Sequence, residues 1–110
     1  MPTSLIDADS LLAIDIGSVT TRAVLFDVVD GRYRFLASGS ASTTVDAPFN
    51  DVSEGVRNAL DRLQSITGRK FVGGDERLII PSRSDGAGVD TVAVTISAGP
   101  SIKVVLVGLL

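Results

Sequence analysis

Apolar positions fall into runs of three different periods along this chain, and each period predicts a different element. Leu11 to Gly17 (LLAIDIG) is a short, nearly continuous apolar stretch closed by a turn residue, the pattern of a strand buried within a sheet. Thr20 to Val29 continues as a second strand, and Asp30-Gly31 joins it to a third over Arg32 to Ser40. Such a pair makes a type I′ hairpin turn, because Asp and Gly tolerate the positive φ angles it needs. A two-residue loop also sets the register: Phe26 then faces Phe35 and Asp27 faces Arg34, an aromatic pair and an ion pair on opposite faces of the ribbon.

After a loop through STTVDAPF the period lengthens. Val52, Val56, Leu60, Leu63 and Ile66 recur three or four apart while Arg57, Asn58, Asp61 and Arg62 lie off the stripe, which predicts an amphipathic helix packed on the sheet. Asp51, with Glu54 three residues on, reads as a capping box in which Asp replaces Ser or Thr, and Gly68 as the closing C′ residue. Lys70 to Asp90 is rich in Gly and Pro, offers only RLIIP as a short strand, and is expected to be an irregular or mobile insertion. Val92, Val94, Ile96 and Ala98 alternate with Thr91, Ala93, Thr95 and Ser97 as a strand; after AGPS, Ile102 to Leu109 reads as a wholly buried one. The sum is one α/β domain over residues 1–110. It has a mixed sheet with an antiparallel three-stranded start, one long helix on a face, and one or two further strands.

Composition narrows the chemistry open to such a domain. With 45% apolar and 21% charged residues the chain is ordinary globular material. Its 10 basic residues are scattered among 13 acidic ones, for a net charge of −3, so there is no basic stripe and nucleic acid is not an expected partner. No run reaches the roughly 18 to 20 apolar residues of a membrane helix. MPTSLIDADS lacks the basic flank and apolar core of a signal peptide, so no membrane and a cytoplasmic location are expected. The absence of Cys and His removes thiolates, disulfides, imidazole ligands and Ser-His-Asp catalysis, leaving hydroxyls, carboxylates and backbone amides. The apolar ending IKVVLVGLL is unlike a polar, frayed terminus. It leads to the expectation of a fragment of a larger protein, whose uncovered last strand pairs with a second copy as an edge-strand homodimer.

The one acid inside the first apolar run is Asp15, two residues before Gly17-Ser18 in DIGSVTTR. Two readings fit it. In the first, Gly17-Ser18 is simply the bend between two strands, and the Asp15 carboxylate accepts a backbone amide. In the second, the bend grips phosphate. Gly17 lets the backbone approach, the amides of Ser18 and Val19 point inward, Ser18 and Thr20 add hydroxyls, Asp15 holds a metal ion or its water shell, and Arg22 adds a cation. Other candidates weigh less. Asp75-Glu76 reads as a solvated pair, SRSDGAG as a flexible loop without the helix a phosphate loop precedes, and Thr43-Thr44 as hydroxyls that satisfy local backbone rather than lie beside a nucleotide.

The stretch LLAIDIGSVTTRAVLFDVVDGRYRFLASG resembles the first phosphate motif of the actin, heat-shock chaperone and sugar kinase superfamily, an Asp-x-Gly-Ser/Thr turn between the first two strands of a sheet. STTVDAPFNDVSEGVRNAL, TGRK, DGAGVD and TISAGPSIKVVLVGLL follow the order of glutamate mutase L-type proteins, so the resemblance covers nearly the whole chain. It implies a ribonuclease H-like fold with ATP and magnesium as ligands. Asp15 would be the acid near the metal, and Gly17, Ser18, Val19 and Thr20, with Thr21 and Arg22, the phosphate turn. It also implies a slow ATPase in the intact protein, acting as chaperone or reactivating factor for a coenzyme-B12 mutase. The superfamily's second phosphate motif and adenosine motif do not occur before Leu110, so this piece is expected to be half a site and to hydrolyse nothing by itself. A nucleotide-dependent scaffold, as in the cell-division and pilus-assembly relatives, is the alternative, and a sugar kinase a more distant one. The superfamily places a helix between its fourth and fifth strands where only AGPS stands here, so a hairpin of the last two strands stays open.

Overall fold

The structure, a computed structural model, describes residues 9–43 and 52–97. Strands β1 (Asp9–Ile16), β2 (Thr20–Val29) and β3 (Arg32–Ser42) lead the chain, followed by helix α1 (Ser53–Thr67) and strand β4 (Thr91–Ile96). The sheet order is β3-β2-β1-β4. Strand β2 is antiparallel to both β1 and β3, whereas β4 lies parallel to β1. This is the expected α/β mixed sheet of ribonuclease H-like kind, with β4 reached by a crossover through α1, as a parallel pair requires. The strand expected over 102–109, its pairing with β4 and its role in a homodimer lie outside the described residues.

The hairpin agrees with its sequence in detail. Asp30 and Gly31 hold φ angles of 54° and 74°, the positive pair of a type I′ turn. Phe26 stands opposite Phe35 with ring centroids 6.2 Å apart, edge to face, and Asp27 opposite Arg34 with an exposed 3.8 Å ion pair. A bulge beyond them leaves Leu36 without a partner, so that Leu25 pairs with Ala37.

Alternation along the strands puts Ser10, Leu12, Ile14 and Ile16 of β1 and Thr21, Ala23 and Leu25 of β2 on one buried face. Helix α1 covers that face with Val56, Ala59, Leu60 and Leu63. Ile66, expected on the same stripe, is 63% exposed, because it falls at the stripe's margin in the last helical turn. The N-cap is Val52 rather than Asp51, which lies outside the described residues. Val52 is fully buried, and the capping box expected of Asp51 with Glu54 lies in part outside the described residues. Gly68 closes the helix as expected: at φ 73° its N–H donates to the Gln64 carbonyl at 2.7 Å.

The segment from Lys70 to Asp90 is irregular, but it is part of the core rather than a mobile insertion. RLIIP forms no strand; a single bridge joins Val72 to Leu78. Phe71, Leu78, Ile79, Ala87 and Val89 are buried, and Phe71 is the largest of the fully buried side chains. The N–H groups of Gly88, Ile79 and Val89 donate to the carbonyls of Lys70, Phe71 and Ile79, stitching the segment to itself. Asp90 then ties it to the start of β1. Its Oδ2 accepts the Ser10 N–H at 3.0 Å and the Ser10 hydroxyl at 3.2 Å, while Oδ1 accepts the Ser82 N–H at 3.0 Å and hydroxyl at 2.8 Å. Among the described residues, no helix is long and apolar enough to cross a membrane.

Candidate functional site: the bend between β1 and β2

The bend from Gly17 to Thr20 sits at the carboxyl end of β1. Because β4 runs parallel to β1, the carboxyl ends of the two strands lie side by side, where open α/β sheets hold their ligands. The Gly17 N–H donates to the Thr20 carbonyl at 3.0 Å and closes the bend. A Cβ on residue 17 would lie 2.8 Å from that oxygen, so the close approach that glycine allows here is between two parts of the turn itself.

Thr43, at the end of β3, braces the bend from behind. Its N–H donates to the Val19 carbonyl and its hydroxyl to the Gly17 carbonyl, both at 2.8 Å. The Thr21 hydroxyl lies 2.8 Å from that of Thr43, and Thr21 is fully buried. Thr21 therefore supports the bend from the core side, and its hydroxyl is not offered to a ligand as the phosphate-turn expectation had it. Thr43 does what a strand-end hydroxyl was expected to do; Thr44 lies outside the described residues.

In front of that brace, Ser18, Val19 and Thr20 are exposed. The N–H groups of Ser18 and Val19 donate to no acceptor among the described residues. Amides that find no acceptor among the described residues, on an exposed bend, are open to an acceptor from outside it.

Asp15 is exposed, on the face of the sheet opposite α1. Among the described residues it accepts no backbone amide, the role the plain-turn reading gave it. Its Oδ1 instead accepts the Thr95 hydroxyl of β4 at 3.0 Å. Ser40, Arg22, Asp15 and Thr95 are partners across all four strands and form one polar rank along the mouth of the bend. Arg22 is exposed, and its guanidinium makes no ion pair among the described residues. Beyond Thr95, the Ser97 N–H donates to the Ile16 carbonyl at 3.0 Å, which brings the Ser97 hydroxyl beside Gly17. The sequence reading missed Thr95 and Ser97. Their signal is the alternation of TVAVTIS read together with a parallel pairing to β1, and that pairing joins residues 80 positions apart.

Asp15 is the carboxylate at the bend that could hold a metal ion; among the described residues no group of three or more acids gathers. A single carboxylate suffices for magnesium only where waters and phosphate oxygens supply the rest of its shell. The other candidates resolve as local structure. Asp75 Oδ1 accepts the Arg77 N–H at 3.1 Å, and Glu76 makes an exposed 3.7 Å pair with Arg57. In SRSDGAG the amides of Arg83, Gly86 and Ala87 are spent on the Ala87 and Arg83 carbonyls and on Asp85 Oδ1, leaving them no phosphate to cradle.

No curated protein matches the chain. Among solved structures it is similar to the crystal structure of the Aquifex aeolicus member of the Ppx/GppA protein family, with 13% sequence identity and a TM-score of 0.40. That match covers 80% of this chain and 26% of the other, so the chain spans about a quarter of its length. The profile of the MutL protein family matches residues 11–110, from the strand before the bend onward. The chain belongs to the MutL protein family, the glutamate mutase L-type group that its sequence resembles.

Proposed function

We propose that the bend between β1 and β2 binds the phosphates of ATP, with hydrated magnesium held beside Asp15, and that the domain is one half of the nucleotide site of an ATPase-like protein. The observation that supports this most is the pair of unpaired amides, Ser18 and Val19, set on an exposed bend next to an exposed carboxylate. Phosphate oxygens accept from those amides and from the Ser18 and Thr20 hydroxyls, while Arg22 adds a cation at the rim. When bound, magnesium neutralises charge on the phosphates. The chain's own part is to orient them: Gly17 and Thr43 keep the bend closed, and the β1–β4 pairing keeps Asp15 at its mouth.

In this reading turnover awaits a second wall that closes over the nucleotide. In a glutamate mutase L-type protein, the use of such closure is a chaperone-like or reactivating action on a coenzyme-B12 mutase.

The test is calorimetric titration of the intact protein with ATP and magnesium, beside an Asp15→Ala variant. The wild type is expected to bind saturably and to need magnesium for full affinity; the variant is expected to bind more than about ten-fold more weakly and to lose the magnesium dependence. Equal affinities in the two proteins overturn the assignment of Asp15, and a wild type that binds no ATP overturns the reading.

A further inference from the structure

We infer that Thr95 is a positioning residue for the Asp15 carboxylate, its hydroxyl bonding Oδ1 so that the carboxylate is held in one orientation toward a cation at the bend; this rests on the phosphate-and-magnesium reading above. An exposed carboxylate on a strand turns about two side-chain bonds, and a group free to turn gives up that freedom when it meets a ligand. Asp15 is held. The parallel register makes Thr95 its partner on β4, so both side chains leave the same face of the sheet at the same height. The Thr95 hydroxyl donates its one proton to Oδ1 at 3.0 Å, and no other described group hydrogen-bonds this carboxylate. One residue beyond β4, the Ser97 N–H grips the Ile16 carbonyl, which prevents Thr95 from sliding along β1. On the other flank Arg22 is the register partner in β2, and it forms no ion pair with Asp15.

The hydrogen bond takes one lone pair of Oδ1 and restrains the plane of the carboxylate, leaving Oδ2 unengaged among the described residues. A carboxylate restrained in this way loses less freedom when it meets a hydrated cation. Outer partners of this sort set ligand orientation, and their loss costs about 10- to 100-fold in metal affinity.

The experiment compares Thr95→Val with Thr95→Ser in the intact protein. Valine keeps the shape and the strand preference but lacks the hydroxyl; serine keeps the hydroxyl. ATP is titrated calorimetrically with magnesium and with the metal chelated, and urea unfolding is followed in parallel. The expected result is that Thr95→Val loses about ten-fold or more of the magnesium-dependent affinity. It should keep its metal-free ATP affinity and its unfolding midpoint, while Thr95→Ser behaves as wild type. A Thr95→Val protein with full magnesium dependence overturns the inference and leaves the phosphate reading standing, and so does a Thr95→Ser protein that falls as far as the valine variant. A wild type that binds no ATP in either condition overturns both.

Discussion

Replacing Gly39 with valine is expected to cost the domain about 3 kcal/mol or more, with alanine somewhat below that, out of the roughly 5–15 kcal/mol that holds a domain of this kind together. Gly39 is the point on β3 where the sheet meets the backbone of α1. A Cβ there would lie 2.6 Å from the Leu63 nitrogen, 2.7 Å from the Ala59 carbonyl oxygen and 3.1 Å from the Arg62 carbonyl carbon. All three are helix main chain, which cannot rotate aside as a side chain can. The helix must lift, and with it go the contacts of Val56, Ala59, Leu60 and Leu63, each buried to 1% exposure or less. Urea denaturation reads the loss as a lower midpoint. Gly74→Ala is the control: an added Cβ there meets nothing within 4 Å, so its effect is expected to stay within about 1 kcal/mol. An unchanged midpoint for Gly39→Val means that the helix does not sit on β3 as described.

Asp90→Ala is expected to cost about 3 kcal/mol, because it strips the acceptor from the Ser10 and Ser82 N–H groups and from both hydroxyls at once. The same contacts set a pH dependence. Burial pushes the Asp90 carboxyl up, but the hydrogen bonds from the Ser82 hydroxyl and N–H, and from the Ser10 N–H and hydroxyl, outweigh it and hold the group below its ordinary value of 3.8. The unfolded chain therefore takes up this proton first as the solution is acidified. The stabilisation from Asp90 is fully present above about pH 4 and drains away as pH falls through the lower folded value. Wild type is expected to lose more stability between pH 5 and pH 3 than Asp90→Asn does. Parallel acid profiles for the two proteins contradict that assignment.

Local chemistry was legible in this sequence, and long-range contact was not. Asp30-Gly31 admits few backbone geometries, so the Phe26/Phe35 and Asp27/Arg34 pairs could be read from the turn alone. Gly68 was legible for the same reason. Between Lys70 and Asp90 the Gly and Pro residues correctly announce irregular backbone. They say nothing of Phe71, Leu78 and Val89, whose burial depends on the sheet and helix they meet. The burial of Val52 at the helix entry is likewise a tertiary fact that a local pattern does not contain.

The same division runs through the site. Asp15, Gly17 and Ser18 are neighbours in sequence and drew attention as a group. Thr21 sits among them, but strand alternation turns it into the core, against Thr43. Thr95 and Ser97 reach the bend only because β4 crosses over to lie parallel to β1, a pairing that depends on how α1 returns the chain.

Whether the Ser18 and Val19 amides receive phosphate is read by amide NMR of the intact protein during titration with ATP and magnesium. The resonances of Ser18 and Val19 are expected to move farthest, with Thr20 and Thr95 following and the loop at 83–88 staying still. Resonances of the bend that stay in place while ATP binding saturates would contradict it.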